Sequence, residues 1–234
     1  MDIELTAINR YYFSEYLIHP DTIAFIINNG KLVFSLSQDY YHMFDVLISH
    51  ISKKVDLNNG QHELLKSFFI EKKLRKKQFL LKEGELCRYL SFVSRGILKS
   101  YIMDEKGQQR ISLFAFEGWW ISDFNSFINQ EKAVLNIDAI EDAELLLISY
   151  EDYEKLTLQI PVMDRYFRIL YQNSLVTKDR RLMVSNSFTA EEKYLQLVKN
   201  NPEMIQKLSH RLIASYLGLS PETVSRIRKK ILLR

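Results

Sequence analysis

Residues 209–232 read SHRLIASYLGLSPETVSRIRKKIL, and the punctuation inside this stretch dictates its shape. Ser209 offers a hydroxyl to cap a helix whose inward face carries Leu212, Ile213 and Leu217. Gly218 supplies the left-handed backbone that ends such a helix without steric penalty. Two residues later Ser220 caps the next helix, with Pro221 in the first helical position, where a missing N–H removes no hydrogen bond. Ala214 is small where the two helices would cross, and Val224, Ile227 and Ile231 recur as the buried stripe of the second. The spacing predicts a helix-turn-helix of the kind that places its second helix in the DNA major groove.

At 100° per residue, the face opposite that stripe carries Glu222, Ser225, Arg226 and Lys229, with Ser220 at the helix start. Arg226 has the geometry to donate two hydrogen bonds to guanine, and Glu222 to accept one from a cytosine amine. Arg228 and Lys230 lie to the sides and, with Lys229 and Arg211, are expected on phosphates. Charge along the chain agrees. From residue 193 to 234 there are nine Lys and Arg against two acids, a net of +7, whereas residues 1–192 carry 23 against 27, a net of −4. The overall +3 thus conceals a basic module on a mildly acidic body, which suggests a polyanion partner.

The 234 residues suffice for one large domain or two modest ones, and 47% hydrophobic with 26% charged residues argues against wholesale disorder. A single cysteine, Cys87, excludes an intramolecular disulfide framework and any Cys-only zinc or iron-sulfur site within one chain. A reducing, cytoplasmic setting is expected. No apolar run approaches the about 20 residues that span a bilayer, and Asp2 and Glu4 at the N-terminus do not read as a secretory signal.

Upstream of the C-terminal module the hydrophobic period changes twice. Residues 44–76 read as helical, with a turn at 56–60. Short β-branched or aromatic runs follow at 78–81, 89–94, 97–103, 110–116, 137–139 and 144–149, separated by turns that contain Gly84, Gly96, Gly107 and Gly118. Such spacing predicts a jelly-roll barrel, closed so that few edges are exposed, within an α+β chain. After Pro161 the helical period returns. Met163, Tyr166, Phe167, Leu170, Tyr171 and Ser174 form one stripe of a long helix over 162–188, and pairing with a second copy is the favoured cover for it, over packing on its own chain. Asn186 and Ser187 read as a hinge, before a capping box at Thr189 and Glu192. The expected organisation is an extension over 1–42, a barrel over 43–160, the dimer helix with its hinge over 161–188, and the DNA-binding module over 189–234.

These features resemble the CRP/FNR family of transcription regulators, in which a cyclic-nucleotide-binding-like jelly roll precedes a dimer helix and a helix-turn-helix. The resemblance covers about Met43 to Arg234 and rests on GLSPETVSRI (218–227), on Gly84 after FLLKE, on SRGILKSYIMDEKG (94–107), FEGWWISDF (116–124) and ELLLISYEDYEKL (144–156). It implies a homodimer on a pseudo-palindromic operator, with Glu222 and Arg226 reading the groove and RNA polymerase as a further partner. Pro221 departs from the arginine common there in nucleotide-responsive members. Where cyclic-AMP-binding members carry Gly-Glu and Arg-Ser pairs around the phosphate, this chain has Ser122-Asp123 and Ala133-Val134, and Lys178-Asp179 replaces the Thr-Ser that meets the base. A cyclic phosphate would find no cationic partner, so cyclic AMP sensing is not expected.

The five histidines, at 19, 42, 50, 62 and 210, all lie outside the strand-bearing segment 78–150, which argues against a barrel-held metal or haem and against a cupin-type enzyme. No cofactor is expected, and Cys87 reads as a packing residue. Trp119 and Trp120, with Phe114, Phe116, Ser122 and Asp123 nearby, read either as barrel core or as a pocket for an apolar effector. Met43 stands where family chains often begin, so it is a candidate physiological start. No β-hairpin wing is expected after the recognition helix. The alternatives are a cyclic-nucleotide-responsive regulator, or a protein-interaction module with only loose DNA tethering.

Overall fold

The computed structural model describes the backbone of residues 23–28, 31–36 and 38–232. In chain order these form a hairpin of β1 (Ile23–Asn28) and β2 (Lys31–Leu36), then α1 (Gln38–Ser52) and α2 (Asn59–Lys66). The strands β3 (Ile70–Leu74), β4 (Phe79–Leu81), β5 (Tyr89–Arg95), β6 (Leu98–Met103), β7 (Gln109–Ala115) and β8 (Trp120–Ile121) follow. After α3 (Phe124–Asn129) come β9 (Asn136–Ala139) and β10 (Ala143–Ser149), then α4 (Tyr150–Gln159) and the long α5 (Val162–Ser187). The C-terminal module is α6 (Ala190–Asn200), α7 (Pro202–Lys207), α8 (His210–Leu217) and α9 (Pro221–Leu232).

Two four-stranded antiparallel sheets, ordered β3-β10-β5-β8 and β4-β9-β6-β7, make the central body. The two stacked sheets are those of the expected jelly roll, and no strand pairing joins them among the described residues. β8 has only two residues, too few to carry the first sheet round to the second. The six anticipated strands are present. In β10, Leu145, Leu146, Leu147 and Ile148 are all buried, as a strand covered on both faces requires. Its inner cover is the second sheet; its outer cover is helical, from Met43, Phe44, Leu47 and Ile51 of α1 and from Met163, Tyr166 and Phe167 at the start of α5. Each such buried side chain contributes about 1.5–3 kcal/mol. Gly96 turns between β5 and β6 at φ +90°, and a Cβ there would lie 2.5 Å from the Asp142 carbonyl oxygen, so only glycine fits.

Three expectations need correction. Residues 70–74, read as the end of a helix, form β3 because their backbone completes the ladder on β10 from Leu74 to Ile70. The aromatic stripe of α5 is covered by its own chain: Tyr166 and Phe167 lie in the sensor core with Trp120 and Tyr153. The helix also runs unbroken through Asn186 and Ser187, and the chain breaks instead at Phe188, where the backbone becomes extended before the Thr189 cap. Of the proposed extension, residues 1–22 lie outside the described residues. Met43 sits inside α1, fully buried, and its carbonyl accepts from the Ser94 hydroxyl.

A polar chain ties α1 to α5 through this core. His50 Nδ1 lies 2.7 Å from Tyr166 Oη, and Lys54 Nζ lies 3.1 Å from His50 Nε2. An ammonium only donates, so Nε2 accepts and Nδ1 carries the proton that it donates to Tyr166. The Trp120 indole N–H donates to the same oxygen at 2.9 Å. Burial, then Lys54 and Lys53, pushes the imidazole down to about 4. Its folded pKa thus lies below its unfolded one, and between them the unfolded chain binds the extra proton. Stability is expected to fall as pH drops from about 6.5 towards 4. Thermal unfolding across that window would check this, and His50→Gln should flatten the profile.

Candidate nucleic-acid interface

The helix-turn-helix forms as its punctuation dictates. Ser209 Oγ accepts from the Leu212 amide at 3.4 Å, and Gly218 ends α8 at φ +67°, its N–H directed at the Ala214 and Ser215 carbonyls. Nothing lies within 4 Å of a Cβ built on Gly218, so the left-handed backbone alone demands glycine there. Ser220 Oγ accepts from the Thr223 amide at 3.2 Å and opens α9. Ala214 is 1% exposed against Val224 at 0%, the close crossing that a small side chain permits. Leu212 and Leu217, expected inward, are only half-buried; Ile213 and Ala214 carry the core contact.

The outer face is concave and lined by His210, Arg211, Pro221, Glu222, Ser225, Arg226 and Lys229. It gathers Arg211, Glu222, Ser225, Arg226 and Lys229 of the anticipated set, all exposed. Ser220 stands at its rim as the exposed α9 cap. Arg228 and Lys230 do not join it: Arg228 is half-buried near the Tyr194 phenol, and Lys230 pairs with Glu191 of α6 at 2.5 Å. Arg228 is thus turned toward the module, whereas Lys230 stays exposed while it pairs with Glu191. His210 is the addition that sequence reasoning missed; its place directly after the Ser209 cap puts it on the same rim as Arg211. The α9 N-terminal amide of Glu222 itself and the Ser220 hydroxyl hold the Glu222 carboxyl below the usual carboxylate range. The face therefore presents fixed donors with one ionised acceptor, a set suited to base edges and phosphates.

The opposite side of the module is buried against the sensor. Tyr194, Leu197, Met204, Leu208, Ile213, Val224 and Ile227 share one core with Ile97, Tyr101, Ile111, Phe114 and Phe116 of the second sheet. Polar contacts fix the register. Ser215 Oγ donates to the Gln109 carbonyl at 2.5 Å and accepts from the Ile111 amide at 3.3 Å. Arg181 of α5 donates to the carbonyls of Ser112, of Ile111 at 3.0 Å and of Tyr216 at 3.2 Å, and its guanidinium lies 4.0 Å from the Tyr216 ring centre.

The aromatic pocket does not assemble. Trp120 is half-buried against the core, packed on Phe92 and Phe167, while Phe114 and Phe116 are buried beneath the C-terminal module. Trp119 lies edge-on to Phe116 with 37% of its surface exposed. Asp123 is buried, capping α3. Only Ser122 lines a cleft, shared with Leu80, Leu86, Arg88, Ser91 and Ile137. The Cys87 thiol at that cleft is buried and pushed up by burial, which suits packing rather than reactivity.

Comparison with known proteins is consistent across sequence and fold. Residues 71–159 match the cyclic nucleotide-binding domain family. The transcriptional regulatory protein Btr of Bordetella pertussis is 24% identical over 204 residues, 82% of this chain and 84% of that protein. The fumarate and nitrate reduction regulatory protein of Vibrio cholerae is 25% identical over 198 residues, 80% of this chain and 78% of that protein. Among solved structures, FixK2 from Bradyrhizobium japonicum aligns with a TM-score of 0.60 at 23% identity, covering 70% of this chain and 85% of that one.

The Arg181 contacts generate a direct expectation. Arg181→Gln removes charge-assisted hydrogen bonds to three carbonyls and should weaken docking of the module by about 2 kcal/mol. Hydrogen exchange should then quicken in α8 and at Gln109–Ala115, while α1 stays protected.

Proposed function

We propose that the chain is a transcription regulator of the CRP/FNR type, which binds DNA as a homodimer and reads a pseudo-palindromic operator with the outer face of α9. One observation carries the reading: Arg211, Glu222, Ser225, Arg226 and Lys229 converge on an exposed face whose reverse is core. Arg226 and Glu222 read base edges, and Arg211 and Lys229 hold phosphates. The net +7 of the C-terminal stretch adds the sequence-independent attraction on which such binding draws. The reading is that of a cytoplasmic regulator, not an enzyme.

Dimerisation is supported by α5. Beyond the turns buried in the sensor, Leu175, Val176, Leu182 and Met183 are each 60–69% exposed. At 100° per residue they fall within one arc of about 120°, roughly opposite Arg181. This second stripe, rather than the aromatic one, is the surface for a second copy. Paired there, two recognition helices would stand one DNA turn apart, about 34 Å.

Arg226→Ala should lose about 1–3 kcal/mol of base discrimination at one position per half-site while keeping most non-specific affinity. Quantitative binding to a selected operator and its single-base variants would measure this; an unchanged preference would remove α9 from the groove. Leu182→Glu with Met183→Glu should yield a monomer by sedimentation, with the operator affinity falling towards the non-specific level.

A further inference from the structure

The sensor body matches a cyclic nucleotide-binding domain family, yet the loop that returns from α3 to β9 is already occupied by the chain itself. Asp123 is 3% exposed. One carboxylate oxygen accepts from the amides of Val134 at 2.9 Å and Leu135 at 3.1 Å, and the other accepts from the Ser126 amide at 3.2 Å. Consecutive amides that turn the same way form a nest, which favours an anion between them. Among the described residues the Asp123 carboxylate meets only backbone N–H groups, and no ion pair reaches it.

The surrounding loop is knit around this carboxylate. Ser126 Oγ donates to the Glu131 carbonyl at 2.5 Å and accepts from the Cys87 amide at 2.9 Å, joining α3 to the start of β5. Ala133 exchanges hydrogen bonds with the β4–β5 turn, its amide to Glu85 and its carbonyl to Gly84, both at 2.8 Å. The Ser122-Asp123 and Ala133-Val134 segments are thereby tied together by one buried charge.

We propose that Asp123 is a specificity-determining residue of the sensor: its carboxylate fills the anion position offered by the Val134 and Leu135 amides, and so excludes phosphate-bearing ligands and holds the loop closed without one. A phosphate brought to the same amides would meet a fixed negative charge at about 4 Å. At the effective permittivity of such sites that weakens binding roughly a thousandfold. The loop order that an anionic effector would otherwise supply is built into the covalent chain. The assignment rests on reading residues 71–159 as a sensor domain, and it concerns ligand class rather than DNA recognition.

The test uses the full-length protein with inorganic phosphate and with 3′,5′-cyclic AMP as probes. For the unmodified protein, neither probe should move the unfolding temperature, and the Val134 and Leu135 amides should exchange slowly with no ligand present. Asp123→Gly should lose that protection and gain a phosphate-dependent rise in unfolding temperature; Asp123→Asn, which keeps an acceptor oxygen, should retain protection in part. Saturable binding of either probe to the unmodified protein, or rapid exchange of its two amides, overturns the proposal. So does an Asp123→Gly protein in which both amides stay protected. If that variant fails to fold, the unmodified protein's exchange and titration decide alone. Operator binding, followed in parallel, separates the outcomes: its loss with the amide results intact refutes the regulator reading and leaves this assignment standing.

Discussion

A strand at the rim of a sheet presents unpaired N–H and C=O groups, and the arrangement of this molecule turns on how β7 disposes of its own. Among the described residues they pair with no further strand. Ser215 of α8 bridges Gln109 and Ile111, and Arg181 of α5 covers the carbonyls of Ile111 and Ser112. The exposed edge of the second sheet thus becomes the dock for the DNA-binding module. Because Ile213, Val224 and Ile227 are drawn into that dock, the charged residues of α9 have only the outward direction left.

Local punctuation made the C-terminal module legible. Ser209, Gly218, Ser220 and Pro221 each act within a few residues of the chain, so no tertiary knowledge was needed to place both helices and the outward set around Arg226. The strands were legible for a similar reason, since Gly84, Gly96, Gly107 and Gly118 all take positive φ at the turns. What failed depended on distant partners. β3 is lysine-rich and reads as a strand only once β10 is beside it. The stripe of α5 looked like a dimer seam because nothing in sequence shows that Trp120, 46 residues away, meets Tyr166. The pairing of Lys230 with Glu191, 39 residues upstream, was equally out of reach of local sequence. Asp123 could be seen to replace a family residue, but its hydrogen bonds to Val134 and Leu135 could not.

Burial of polar groups follows a common logic across the sensor. Beneath the docked module, the Tyr101 hydroxyl donates to Asp138 at 3.0 Å and Lys99 lies 3.4 Å from the same carboxylate. Burial raises the Asp138 carboxyl despite Lys99 and Tyr101, and raises the phenol to about 12. Lys99 also donates to the Gln109 side chain, whose backbone carbonyl receives Ser215. A continuous polar chain therefore runs from the second sheet to α8. A buried network of this kind fixes one arrangement, because each alternative leaves a donor or acceptor unpaired.

These contacts constrain the pairing of two copies proposed above. Arg181 faces its own β7, whereas Leu175, Val176, Leu182 and Met183 look the other way along the same helix. Docking and pairing then use different sides of α5 and do not compete. Each module's orientation is set within its own chain, and in the proposed pair the apolar stripe alone would set the association. On the proposed reading, half-site spacing should depend on the register of that stripe and base preference on α9. Substitutions at the two kinds of position would add independently unless the helix itself bends.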